Sequence, residues 1–191
     1  MLGPEGVVGL VMGMLQVQMP LKLTEMRTRL TLTGPQLPDI KSYRPVTVGK
    51  IAAGDYPALY VIATGVPLLK STAKAVTGVQ YAGTYNLTVV SLVRSTSFTF
   101  TTGLQQRTAL AVRECLLQSM QLRPIDGTDA VRIDPQTIRE RFSGIESLAG
   151  RDTSTYGGCM TDVAVTAQEF LPRLPLPLGL FVVAPVTTRL P

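Results

Sequence analysis

The residues able to do chemistry are few and widely spread. Histidine and tryptophan are absent from all 191 positions, which removes Ser-His-Asp and Cys-His nucleophiles at a stroke. The two cysteines, Cys115 and Cys159, are too few to hold a zinc ion and show no Cys-x-x-Cys spacing. They read as reduced thiols in a chain that folds in a reducing compartment. Paired carboxylates are the next class. Asp126 and Asp129 flank Gly127, but Asp-Gly-x-Asp is ordinary turn composition, whereas glycoside hydrolysis needs two carboxyls facing each other across a cleft. Glu140 and Glu146 stand near Arg139 and Arg141 and read as a solvated or intersubunit charge set. No phosphate-binding glycine motif follows a strand pattern, and Gly6-Val7-Val8-Gly9 has no strand before it. No Gly-x-Ser-x-Gly elbow occurs. The expectation is a protein without catalysis, metal or cofactor.

Charge points the same way. Net charge is +5 and the isoelectric point about 9.5, a balance that suggests nucleic acid. Yet the 18 basic residues are scattered, never three in a row, so the patch or stripe that such binding needs is missing. Charged residues make up 16% of the chain and hydrophobic ones 45%, against roughly 25% charged in a typical domain. Surface that carries little charge is often covered by another protein. Arg107, Arg113 and Arg123 lie along one predicted helix with Glu114 as a partner. They form either a solvated face or a charged rim against a neighbouring subunit, where arginine is enriched.

The elements that must position these side chains follow from periodicity. Residues 4–19 open with Pro4 and Glu5, a good helix start, and Leu10, Met14 and Val17 can share one face. Pro20 should break or kink that helix, with a second short helix or a strand over 22–32. The apolar opening lacks a basic leader and a small-x-small cleavage site and is short for a membrane span, so it reads as an amphipathic or buried helix of a soluble protein. Glycines and prolines make 33–57 a long loop, a length that tends to be functional or interfacial. Residues 58–63 read as a buried strand, and 65–80 as another loop carrying Lys70 and Lys74. From 81 to 93 the alternation is clean, with Tyr85, Leu87, Val89, Ser91 and Val93 on one face. Residues 103–122 are the strongest helix, capped by Thr101 or Thr102 and closed by Pro124. A short strand at 130–133, a turn or short helix carrying Ile138 and Phe142, and a strand over 160–170 complete the domain.

This order predicts an α/β (α+β) fold: a small mixed, mainly antiparallel sheet covered by helices on one face, with extended N- and C-terminal segments. The chain divides into a helical segment at 1–32, a single α/β domain at 33–170 and a Pro-rich apolar arm at 171–191. The arm, with Leu174, Leu176, Leu178, Leu180, Phe181, Val182 and Val183, is too apolar to stay in water. It must lie on its own domain or dock on another chain, for instance as an added strand. The candidate subunit or partner interface therefore comprises Lys70, Lys74, Arg107, Arg113, Arg139, Arg141, Leu178 and Phe181.

A Pro-containing loop into Tyr56-Pro57-Ala58-Leu59-Tyr60-Val61, the long strand over 85–93, a polar linker, the helix at 104–122 and a last strand at 160–170 together resemble the tail terminator (tail completion, or neck) proteins of tailed bacteriophages. The resemblance covers residues 40–170 and rests on the order and length of elements rather than on an invariant motif. It implies a structural virion protein, made in the host cytoplasm, that forms a hexameric ring at the head–tail junction. The ring caps the tail tube, ends its polymerisation and joins it to the head connector. Implied partners are further copies of the chain, the tail tube protein, the connector or adaptor protein, and a sheath where the tail is contractile; genomic DNA would meet the ring only in passing through its channel. Another neck adaptor or minor structural protein is the alternative, and a non-specific nucleic-acid-binding module is a further one.

Overall fold

The computed structural model describes residues 3–45, 51–75, 78–122, 131–147 and 154–172. Its first element is one long helix, α1 (Gly3–Arg29), so the expected break at Pro20 does not occur. The reason lies in which face carries the proline. Pro20 and Gln16, whose carbonyl loses its N–H partner, are both exposed, so water can take that carbonyl. On the opposite side Val7, Val11, Leu15, Met19, Leu23 and Met26 are fully buried. Each such side chain contributes roughly 1.5–3 kcal/mol, which together outweighs the cost of an internal proline, about 3 kcal/mol. Arg27 and Arg29 occupy the last turn and complement the helix dipole. Beyond the helix end Thr31 adopts φ 53°, and the Leu32 N–H closes back on the Arg27 carbonyl at 2.8 Å.

The segment read as a long loop at 33–57 contains two short 3-10 turns and strand β1 (Ser42–Arg44). Strands β2 (Ala58–Ala75) and β3 (Gly78–Ser95) follow, pairing antiparallel from Ala58↔Leu92 to Ala75↔Gly78. The described residues of the predicted loop at 65–80, which are 65–75 and 78–80, are therefore strand, and Lys70 and Lys74 lie within β2. Gly65 and Pro67 fall where the register shifts, between Ala63 and Gly65 and again before Leu68. Bulges on a strand with an unpaired outer side accept both residue types.

Helix α2 (Phe98–Gln118) starts one turn before the expected cap. Ser97 caps it, accepting from the Phe100 N–H. Thr101 lies inside the helix, buried, with its hydroxyl 2.8 Å from Ser95 Oγ and 2.6 Å from Thr155 Oγ1. Strands β4 (Gln121–Leu122), β5 (Val131–Phe142), β6 (Glu146–Ser147) and β7 (Thr155–Pro172) complete the chain. The turn or helix expected at 134–142 is strand instead. Pro135 is absorbed by a bulge between Asp134 and Arg139, where the Asp134 side chain accepts from the Gln136 N–H at 3.0 Å and Thr137 Oγ1 accepts from the Ala164 N–H at 2.8 Å. β7 runs two residues into the segment read as a C-terminal arm.

The sheet is ordered β1-β2-β3-β7-β5-β4, with β6 beside β7. β1 and β2 are parallel and every other pair is antiparallel, so the fold is the small mixed α+β arrangement expected. Both helices pack on the face that carries Tyr85, Leu87, Val89 and Val93, with Val163, Val165 and Ala167 from β7, and the α1 stripe belongs to this same core.

Candidate interaction surfaces

The expected interface residues fall in three separate places. Lys70 is exposed on β2, and Lys74 lies further along the same strand. Arg107 and Arg113 sit on α2, and each is engaged within the chain. Arg107 Nη1 donates to the Gln36 carbonyl at 3.2 Å, and Arg113 Nη1 meets Glu140 Oε2 on β5 at 3.2 Å. Glu114, expected to serve the arginines of its own helix, instead meets α1: Arg29 Nη2 at 2.7 Å and Lys22 Nζ at 3.5 Å. Arg139 and Arg141 lie exposed on β5, where Arg141 Nη2 pairs with Asp162 Oδ2 at 2.8 Å and Thr88 donates to Asp162 Oδ1 at 2.6 Å. Leu178, Phe181, Arg123, Asp126 and Asp129 lie outside the described residues.

Three surfaces stand out by shape. The first is a blade. The core residues of the sheet end at Ala63, Tyr85 and Ala167, yet β2, β3 and β7 continue together to Ala75, Gly78 and Pro172. The six or seven further residues of β3 extend roughly 20 Å at strand rise. Gly83 is buried there, but the side chains of Val66, Lys70, Gln80, Tyr81 and Gln168 are exposed or half-buried.

The second surface is the outer face of the sheet. Val90 and Leu92 are half-buried and Met160 is 44% exposed there, and they border a shallow apolar depression whose edge is closed at the end of β5 by Phe142, opposite Cys159 in the register and 49% exposed. Beside it, Tyr56 and Tyr156 meet edge to face at 5.5 Å, with the Arg94 guanidinium 5.7 Å from the Tyr156 ring. Behind it the buried Gln105 amide donates to the carbonyls of Ser143 and Gly158. This contact ties α2 to the ends of β5 and β7.

The third surface is on α1. Leu10, Met14 and Val17 do share a face, and Leu21 continues it, but it is the outer one: Val17 is 66% and Leu21 67% exposed. Together with the end of α2 and with Leu122 on β4, this stripe borders an open groove. Sequence reasoning named three of the four residues without recognising that the helix carries a second apolar face. The spacing at 10, 14, 17 and 21, offset from the buried stripe, is the signal that reveals it.

Groups of catalytic type are muted. Burial pushes the Cys115 thiol up to about 12 and raises that of Cys159 as well. The Arg29 hydrogen bond, ahead of all else, holds the Glu114 carboxyl below its ordinary range. Among the described residues, no three His, Cys, Asp or Glu side chains converge as a metal site would require. By length and composition α1 could cross a membrane, with mean hydropathy 1.3 over its most apolar window, but half of that window is buried inside the fold.

Compared with known proteins, the chain matches no protein-family model and no curated protein.

Proposed function

We propose that this chain is a structural subunit of a tailed-phage particle. Copies of it close into a ring at the head–tail junction, cap the tail tube, end its polymerisation and join it to the head connector. In this reading the chain performs no catalysis. The observation that carries the reading is the three-stranded blade, which outruns its helical cover. A blade with few buried side chains gains little from its own fold, so its role must come from another chain. A ring needs two different surfaces on each subunit, because its contacts are head to tail. The blade supplies one and the open outer face around Val90, Leu92 and Met160, edged by Phe142, supplies the other. Exposed Lys70 on the blade and Arg139 on β5 suit a channel through which DNA passes, held by phosphate attraction alone.

The test is the mass of the purified protein by light scattering with electron microscopy of the same sample, alone and with isolated tail tubes. Closed rings of about six copies, free or on tube ends, are the expected result. Lys70→Glu should reduce ring formation while leaving the monomer's melting temperature unchanged. A monomer that ignores tube ends and binds duplex DNA with a steep salt dependence would overturn the proposal.

A further inference from the structure

Beside the open α1 stripe lies a groove of about 520 Å³ between α1, the end of α2 and β4. Leu10, Met14, Val17 and Leu122 form its apolar lining. Gln18, Gln118 and Gln121 add amide groups, and none of its lining residues is charged. It thus offers apolar contact along its length, together with donors and acceptors able to satisfy an extended backbone. Gly13 also lines it, and nothing lies within 4 Å of where its Cβ would be.

We propose that the chain's own C-terminal segment, centred on Leu178–Val183, occupies this groove in the subunit to which it belongs. The composition fits. Residues 174–188 contain no charged side chain, and Leu178, Leu180, Phe181, Val182 and Val183 form their most apolar part. The starting point fits as well. β7 ends at Pro172, five residues beyond Ala167, and so about 17 Å further along the strand. Ala167 pairs with Val131, and Val131 with Leu122 at the groove, a sideways step of two strands or roughly 10 Å. At a maximal span of about 3.3 Å per residue, some six residues suffice for the return, so Leu178 and its successors are within reach of the groove. A short tether then holds the segment at an effective concentration in the millimolar range. Its own groove therefore outcompetes that of a second copy at ordinary protein concentrations. The inference stands apart from the ring reading and does not depend on it.

The absence of tryptophan from the chain makes the test clean. In full-length Phe181→Trp protein, the single tryptophan should emit at shorter wavelength than in the urea-unfolded chain and be quenched several-fold less by acrylamide. The protection should not change on dilution. Adding Val17→Glu, a change at a 66% exposed position that should leave the melting transition in place, puts a charge in the groove. It should move emission to the red and restore quenching. Leu180→Trp serves as a second probe and should respond in the same way. An unprotected tryptophan in both probes, or protection that survives Val17→Glu, would overturn the proposal. So would protection that disappears when the probe chain is refolded with an excess of Val17→Glu chains, since the segment would then be using a neighbour's groove.

Discussion

Replacing Glu114 by glutamine tests the joint between the two helices. Lys22 is 4% exposed, and its ammonium depends on two carboxylates: Glu25 Oε2 at 2.5 Å on its own helix and Glu114 Oε2 at 3.5 Å on α2. Glu114 also accepts from Arg29 Nη2 at 2.7 Å. At an effective dielectric constant near 20, unit charges 3.5 Å apart attract by about 5 kcal/mol, which is a gross upper figure. Glutamine keeps an acceptor in place for Arg29, Lys22 keeps Glu25, and solvent screens the half-exposed Arg29 side of the cluster, so only part of that attraction is lost. The expected net loss is therefore about 2 kcal/mol, a fall in melting temperature of roughly 4–8 °C for a chain of this size. The pH dependence fixes the cause. Because the folded Glu114 carboxyl is held below its ordinary range, chiefly by Arg29, its contribution is full above the unfolded value near 4.3 and is lost as pH falls through the folded one. The gap between wild type and Glu114→Gln should persist from pH 7 to about 5 and close toward pH 3. Lys22 is displaced upward, first by the Glu25 hydrogen bond, so its own contribution is lost only as pH rises past the usual lysine range. Thermal melts followed by circular dichroism read all of this. Superimposed melts of wild type and Glu114→Gln at pH 7, or a gap that stays constant down to pH 3, would refute the argument.

Three further outcomes are expected. Thr31→Gly should raise stability by about 0.5–1 kcal/mol, because Thr31 holds a left-handed φ of 53° that a β-branched residue resists; a lower urea midpoint would contradict the assigned strain. Gly158→Ala should destabilise by roughly 1–3 kcal/mol, since its Cβ would stand 2.7 Å from Leu92 Cδ2 and 3.2 Å from the Ser91 carbonyl oxygen. The leucine can move, but the backbone oxygen cannot, and an unchanged urea midpoint would show that the sheet yields there. Cys115 and Cys159, both buried and shifted away from thiolate, should resist a thiol reagent at pH 8 and react on unfolding in urea; full labelling of the native protein within minutes would show that the helix layer opens.

The fold was legible where one face of an element is buried and the other is not. Val163, Val165 and Ala167 alternate against Asp162, Ala164 and Thr166, and the burial follows that alternation; the same holds for Tyr85, Leu87 and Val89. Legibility failed where an element is not half-buried. The outer half of the β2–β3 pair has no core side to impose a period, so 65–80 read as a loop. Along β5, Pro135 suggested a turn because the bonds that keep it in the strand are accepted by the side chains of Asp134 and Thr137. Pro20 misled for the opposite reason. The buried stripe beneath it comes from tertiary packing, which overrides a local breaker. At the candidate surfaces, residue type pointed to Arg107 and Arg113, but an arginine's long side chain finds partners within its own fold as readily as outside it. Exposure of apolar residues is the better guide: spacing separates the two apolar stripes of α1, but only the packing shows that Leu15 lies on the buried one and Val17 on the open one.

The shortage of charge now has locations. Apolar surface scattered singly would need no explanation, but here part of it is gathered in two places. Val17 and Leu21 extend one helix face beside a groove, and Met160 and Phe142 border the depression on the outer sheet. The two clusters differ in kind. The α1 groove is open, amide-lined and within reach of the chain's own end, which suits an occupant tethered to the same subunit. The outer sheet is broad and continues toward a blade that projects beyond any cover, which suits a contact repeated from copy to copy. If one cluster were closed by the arm and the other by a neighbour, removing residues 173–191 would expose the groove while leaving assembly through the sheet intact. A truncated chain that still assembles but becomes prone to non-specific association is the behaviour that this division of labour requires. A truncated chain that stays well behaved and no longer assembles would assign the arm to the neighbour instead.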